Sequence, residues 1–248
     1  MMVEFAKLRR TKIVWLSLLI TVGIVLFANM SLFAGDNAAA FRANPETAWA
    51  GHLIGFAMAL AFLTPLQLAL VASRIVDTEH ISGGWRLNAI AGSRPGALLV
   101  KKYGVAAVVV VVAKVTEFAA TVALPVAMGA PTPRGAMPEA WLRFGLSVAG
   151  TTLALLAVML LLAALVESQL VVLAVGVVGG FLGIASLLSP PWLAALNPFG
   201  YFAVILPFGF TETGVTPTQP SWLLWAGYLV LAAAIFVAGT KAFDRKEI

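Results

Sequence analysis

Six stretches of this chain run apolar for about 20 residues each, near Ile13 to Ala34, His52 to Ser73, Tyr103 to Met128, Leu142 to Val166, Leu170 to Ser189 and Trp222 to Thr240. At a rise of about 1.5 Å per residue, that length crosses a hydrocarbon core roughly 30 Å thick. No water reaches such a core, so every backbone N–H and C=O has to be paired within its own helix or around a closed barrel. None of the six runs alternates with the period of two that barrel strands need, which leaves helices. Composition points the same way: 61% of the 248 residues are hydrophobic and 11% charged, against roughly 45 to 50% apolar and about 25% charged in soluble domains. The expectation is an all-α integral membrane protein, a single transmembrane domain over residues 1–248 with six transmembrane helices.

Charge placement sets the orientation. With both termini in the cytoplasm, Lys7, Arg9, Arg10, Lys12, Arg74, Arg86, Arg94, Lys101, Lys102, Lys241, Arg245 and Lys246 lie inside. Arg42, Arg134 and Arg143 lie outside, and Lys114 falls within a span. Twelve of the 16 Lys and Arg are then on one side, the bias that marks the cytoplasmic face. The same clustering beside the membrane accounts for the formal net charge of +5 without a nucleic-acid partner. The first run follows a basic stretch as a signal peptide does, but its length exceeds the roughly 7 to 15 residues of such a segment, so it reads as a retained span.

Two further segments flank or separate the runs. Residues 1–12 place Met1, Phe5 and Leu8 at helical spacing with Glu4, Lys7, Arg9 and Arg10 on other faces, the pattern of a short interfacial helix or of a basic topogenic tail. Residues 190–221 hold SPPWL and NPFGYFAVILPFGF; the apolar core there is too short to span and is expected to lie on or dip into the outer leaflet. Trp192, Tyr201 and the phenylalanines of this segment read as interface anchors, with gating of a substrate as the sharper alternative.

Motifs for bond chemistry are missing from the sequence. There is no cysteine, and the two histidines, His52 and His80, are isolated, so neither a catalytic residue nor a metal site is expected. No G-x-x-x-x-G-K-[ST] phosphate loop occurs, nor G-x-S-x-G or H-E-x-x-H. His80 reads as a solvated loop residue. Lys114 and Glu117 are the exception in an otherwise uncharged interior: a charge near mid-bilayer costs roughly 2.5 to 3.5 kcal/mol, and a spacing of three lets the two pair on one helix face. They form either a structural ion pair facing the bundle or a subunit interface, or a polar point in a substrate cavity. Gly176, Gly179, Gly180 and Gly183 make two overlapping G-x-x-x-G patterns that permit close helix packing, within the chain or across a dimer. Pro65 and Pro125 are expected to bend the second and third spans.

The remaining polar island, residues 74–102, separates two spans and is longer than a simple connector needs to be. Arg74 to Ile81 can continue the second span as a helix, with Gly83-Gly84 as its stop. Trp85 to Ala91 can form a short helical turn ending at Gly92, after which Ser93 can cap a new helix with Pro95 in its first turn. A helical elbow results, of a size suited to a cleft on another protein.

This order of residues resembles the permease subunits of type-2 ABC exporters, above all the small permeases of the lantibiotic-immunity and bacitracin-resistance group. The N-terminal E-F-x-K-L-R-R-T-K-x-x-W runs from Glu4 to Trp15. The loop pattern R-x-x-x-x-E-x-x-x-G-x-W, then S-R and K, corresponds to Arg74, Glu79, Gly84 (one place later than the family's usual small residue), Trp85, Ser93, Arg94 and Lys101. The resemblance covers nearly the whole chain. It implies the type-2 ABC exporter permease fold: six spans, an N-terminal interfacial helix, a cytoplasmic coupling helix within 74–102 and an outer re-entrant segment at 190–221. It also implies a bacterial plasma-membrane location and assembly of two permease subunits, homo- or heterodimeric, with two ABC ATPase subunits. ATP and Mg would sit on the partner ATPase, with no cofactor in this chain. Arg74, Glu79, Gly84, Trp85 and Arg94 are then the ATPase-coupling residues, Arg74 and Glu79 as polar contacts and Trp85 as an apolar anchor. An ATP-independent membrane protein, either a secondary transporter or a lipid-modifying enzyme using Lys114 and Glu117, is the competing class; a non-transporting scaffold or sensor subunit is a third.

Overall fold

The computed structural model describes residues 12–33, 37–211 and 214–245; the interfacial helix expected over residues 1–12 lies almost wholly outside them. In chain order the described elements are α1 (Ile13–Ala28), α2 (Met30–Phe33), α3 (Asn37–Ala43), α4 (Pro45–Ile81), α5 (Gly84–Ile90), α6 (Pro95–Ala127), α7 (Met137–Leu165), α8 (Gln169–Leu187), α9 (Pro191–Ala194), α10 (Tyr201–Val204), β1 (Phe208–Thr211), β2 (Gly214–Pro217) and α11 (Trp222–Asp244). Among the described residues five helices, α4, α6, α7, α8 and α11, are long and apolar enough to cross a membrane. The first apolar run is divided. It breaks at Asn29, whose side-chain amide donates back to the Val25 carbonyl at 2.7 Å, so α1 has 16 residues and α2 carries the run onward.

Helix α4 organises the bundle. Asn44 caps it by accepting from the Thr47 amide, Pro45 occupies its first turn, and it runs 37 residues, about 55 Å at the usual rise. That is well beyond the expected His52 to Ser73 span, so the helix carries Arg74 to Ile81 out past the apolar stretch. It packs against α1, α7 and α8, and α11 closes the bundle against α6 and α7. The α4–α8 contact answers whether the glycine stripe works within the chain. Cβ atoms at Gly176, Gly180 and Gly183 would overlap Ala69 and the Phe62 and Ala61 carbonyls of α4. Pro65 deprives the Ala61 carbonyl of its usual amide partner one turn on, and this carbonyl is the one that Gly183 faces. The glycines therefore bring two backbones of one chain together.

The end of the bundle opposite α5, here the hairpin end, adds one short two-stranded sheet to the all-α bundle. After α9 and α10, Pro207 favours extended backbone at the residue before it, and the chain turns into an antiparallel hairpin pairing Phe208 with Pro217 through Thr211 with Gly214. Four-residue strands interrupted by glycine carry too little alternation to be read from the sequence. The aromatic residues of this segment also divide. Trp192 and Phe210 are exposed, whereas Phe199, Tyr201, Phe202 and Phe208 are buried. Tyr201 stacks on Tyr228 of α11 at 3.9 Å, and Phe199 occupies the space beside Gly179. These four are packing residues that pin the segment to the bundle, not interface anchors.

Candidate functional site

At the other end the elbow is assembled from two glycine stops. Gly83 (φ 61°) ends α4 and Gly92 (φ 79°) ends α5, both in the left-handed region that glycine enters without a Cβ clash. Arg94 is extended ahead of Pro95, which opens α6. The expected Ser93 cap does not form: Arg94 is the N-cap residue and makes no side-chain cap. A long-range cap replaces it. The Asp244 carboxylate at the end of α11 accepts from the Gly96 amide at 2.8 Å, placing negative charge where the α6 dipole is positive. Gly96 permits this approach, since a Cβ there would overlap the Thr240 carbonyl.

Inside the elbow, Glu79 and Lys102 form a buried ion pair of 2.9 Å, their side chains 2% and 1% exposed. Lys102 also donates to the Ile75 carbonyl at 2.9 Å, and the Asn88 amide reaches Glu79 at 3.3 Å. Gly84 belongs to the same arrangement, because a Cβ there would collide with the Glu79 carboxylate. Trp85 is buried too, with its ring 5.6 Å from that of Phe243 on α11. His80, in the last turn of α4, lies 6.0 Å from Trp85 and 3.2 Å from the Ala163 carbonyl; it is half-buried against α7 and not a solvated loop residue. So of the five residues expected to touch a partner, only Arg74 and Arg94 are exposed. Glu79, Gly84 and Trp85 turn inward and hold α5 to α4, α6 and α11.

The surface that the elbow offers instead is apolar and was not anticipated. Ile81, Leu87 and Ile90 are 79%, 62% and 77% exposed, beside the exposed Arg86. Leu87 and Ile90 lie three apart on one face of α5, a spacing visible in GWRLNAI but overshadowed by the larger Trp85.

The intramembrane pair is likewise part of a larger network. Lys114 donates to Glu117 at 2.7 Å and to the Thr64 hydroxyl at 2.9 Å. Glu117 also accepts from Thr21 at 2.9 Å and from Gln67 at 3.2 Å. All five side chains are buried, and together they join α1, α4 and α6. A buried carboxylate with three donors and a buried ammonium with two acceptors are well compensated. The network ties α1, α4 and α6 together within one chain. Thr21, Thr64 and Gln67 escaped the sequence reading because single hydroxyls and amides are common in apolar helices.

Two cavities open at the hairpin end. One of about 360 Å³ is lined by Glu139 and Arg143 of α7 together with Pro207, Gln219 and Trp222. The other, about 280 Å³, has no charged residue among the described residues of its lining and lies between α4, the end of α8 and the hairpin.

Comparison with known proteins adds the family. No curated protein matches the chain. The family model described as ABC-2 family transporter protein matches residues 1–183, a stretch that holds α1, the elbow, the Lys114–Glu117 network and the glycine stripe. The chain therefore belongs to the ABC-2 family of transporter proteins, as a type-2 ABC transporter permease.

Proposed function

We propose that this permease is the membrane subunit of an ATP-driven exporter of the lantibiotic-immunity and bacitracin-resistance kind, expelling an amphipathic substrate such as an antimicrobial peptide or hydrophobic drug. A separate ABC ATPase binds ATP and Mg and docks on the elbow, and a second permease subunit completes the pathway. The elbow end faces the cytoplasm of a bacterial cell: Lys12, Arg74, Arg86, Arg94, Lys101, Lys241 and Arg245 gather there, against Arg42, Arg134 and Arg143 at the hairpin end. Both termini are then cytoplasmic, α1 with α2 serves as the sixth span, and residues 190–221 form the outer re-entrant segment.

The observation that carries this reading is the elbow itself. A connector needs neither a buried ion pair nor an outward apolar face, whereas a lever that passes motion from a partner to the spans needs both. Glu79, Gly84 and Trp85 make the lever rigid, while Ile81, Leu87 and Ile90 with Arg74, Arg86 and Arg94 supply the contact surface. Coupling is therefore assigned to Glu79 as a positioning residue and not as a direct contact. The test is to co-express the chain with a phosphate-loop ATPase encoded beside it, reconstitute the pair in vesicles, and measure ATP turnover with amphipathic peptides. Stable co-purification with substrate-stimulated turnover is the expected result; an ATPase that neither binds nor responds to the permease overturns the reading.

A further inference from the structure

The two hairpin-end cavities differ in chemistry, and the smaller one is matched to hydrocarbon. Its floor is formed by Ile54 and Met58 of α4 and by Ile184 and Leu187 of α8. All four lie two to six residues inside the ends of the apolar runs His52 to Ser73 and Leu170 to Ser189, so at about 1.5 Å per residue the floor lies about 3 to 9 Å below the level where those runs end. The polar groups of the lining, Ser189, Thr218 and Gln219, sit where those runs end, at the level where lipid head groups begin. Among the described residues no charged side chain lines it, in contrast to the neighbouring cavity with its Glu139 and Arg143.

The open side is continuous with the exposed apolar surface of the bundle. Leu188 and Phe210 belong both to the lining and to that surface, 89% and 67% exposed, with Trp192 at 65% beside them. A volume of about 280 Å³ falls just below the roughly 300 to 1,000 Å³ of pockets for drug-sized ligands. The space suits the upper part of one acyl chain and excludes a whole lipid or a folded peptide.

We propose that this cleft is a lipid site that takes the upper part of a single acyl chain of a phospholipid from the leaflet at the hairpin end, with the head group resting at Ser189, Thr218 and Gln219. The hairpin forms one wall, so the bound chain supports the hairpin against α4 and α8. The site is independent of ATPase docking: it needs only the membrane, and its failure would leave the exporter reading untouched.

The test uses the full chain in phosphatidylcholine vesicles doped with a phosphatidylcholine that carries a photoactivatable diazirine on the upper carbons of one acyl chain, near the glycerol, with adducts mapped by mass spectrometry. Adducts at Ile54, Met58 or Leu187 are expected, in addition to those of ordinary surrounding lipid at Phe181 and Trp192. Filling the cleft with Met58→Phe or, separately, Ala203→Phe is expected to lower the floor adducts about tenfold while leaving those at Phe181 unchanged. Adducts confined to Phe181 and Trp192 in the wild-type chain overturn the proposal, as does floor labelling that survives both filled variants.

Discussion

Replacing Glu79 with Gln removes the charge opposite Lys102 while nearly preserving side-chain shape and the reach to Asn88. Both partners are 1–2% exposed, so screening by solvent is slight and the buried ammonium loses the Glu79 charge. Breaking one side of a buried pair costs about 3 to 5 kcal/mol. Lys102 keeps its bond to the Ile75 carbonyl, which places the expected loss near the lower limit, about 3 kcal/mol, or roughly a hundredfold more of the locally opened elbow. Limited trypsin digestion of the solubilised full chain reads that population, because Arg86 is exposed but lies within the short helix, which has to open before the Arg86–Leu87 bond can be cut. Cleavage between α4 and α6 should accelerate about a hundredfold in E79Q. The double variant E79Q/K102M, in which both charges are gone, should recover most of the protection. Wild-type cleavage rates in E79Q would refute the reasoning, and a double variant no better than E79Q would show that the two side chains are not coupled.

Other consequences follow from the remaining contacts. Gly180→Ala places a methyl against the Phe62 carbonyl, and overpacking of this kind costs about 1 to 3 kcal/mol, read as a lowered melting temperature of the purified chain. Glu117→Gln strands the Lys114 ammonium within three helices and should destabilise by about 3 to 5 kcal/mol. K114M/E117Q should lie close to wild type in thermal unfolding if the pair is a cross-link. Asp244→Asn weakens the long-range cap of α6 by about 0.5 to 2 kcal/mol, which hydrogen exchange at residues 96 to 98 would report as faster opening.

Several features of this fold are legible because they are local. An apolar run declares a span, Gly83 and Gly92 declare stops through their missing Cβ, Pro95 declares a helix start, and a spacing of three declares that Lys114 and Glu117 can meet. The features that escaped depend on residues distant in sequence. The Glu79 side chain turns inward because Lys102 approaches from the next helix, and nothing in the segment around Glu79 specifies that approach. Trp85 has the composition of a docking anchor, yet Phe243 at the end of α11 takes its ring and leaves Leu87 and Ile90 outside. Asp244 caps α6 from the far end of the described chain and supersedes Ser93, which was better placed in sequence but not in space. The aromatic segment after α8 read as an interfacial belt, because only tertiary packing distinguishes the buried Phe202 from the exposed Phe210.

On the proposed function, the elbow meets its ATPase through Leu87 and Ile90 and not through Trp85. The chain has no cysteine, so Leu87→Cys, Ile90→Cys and, as a buried control, Ser73→Cys each introduce one thiol without background. Maleimide labelling with and without the co-expressed ATPase tests the contact directly. Labelling at positions 87 and 90 should be fast in the free permease and about tenfold slower in the complex, with position 73 slow in both. Equal labelling at 87 and 90 with and without bound ATPase would contradict the claim.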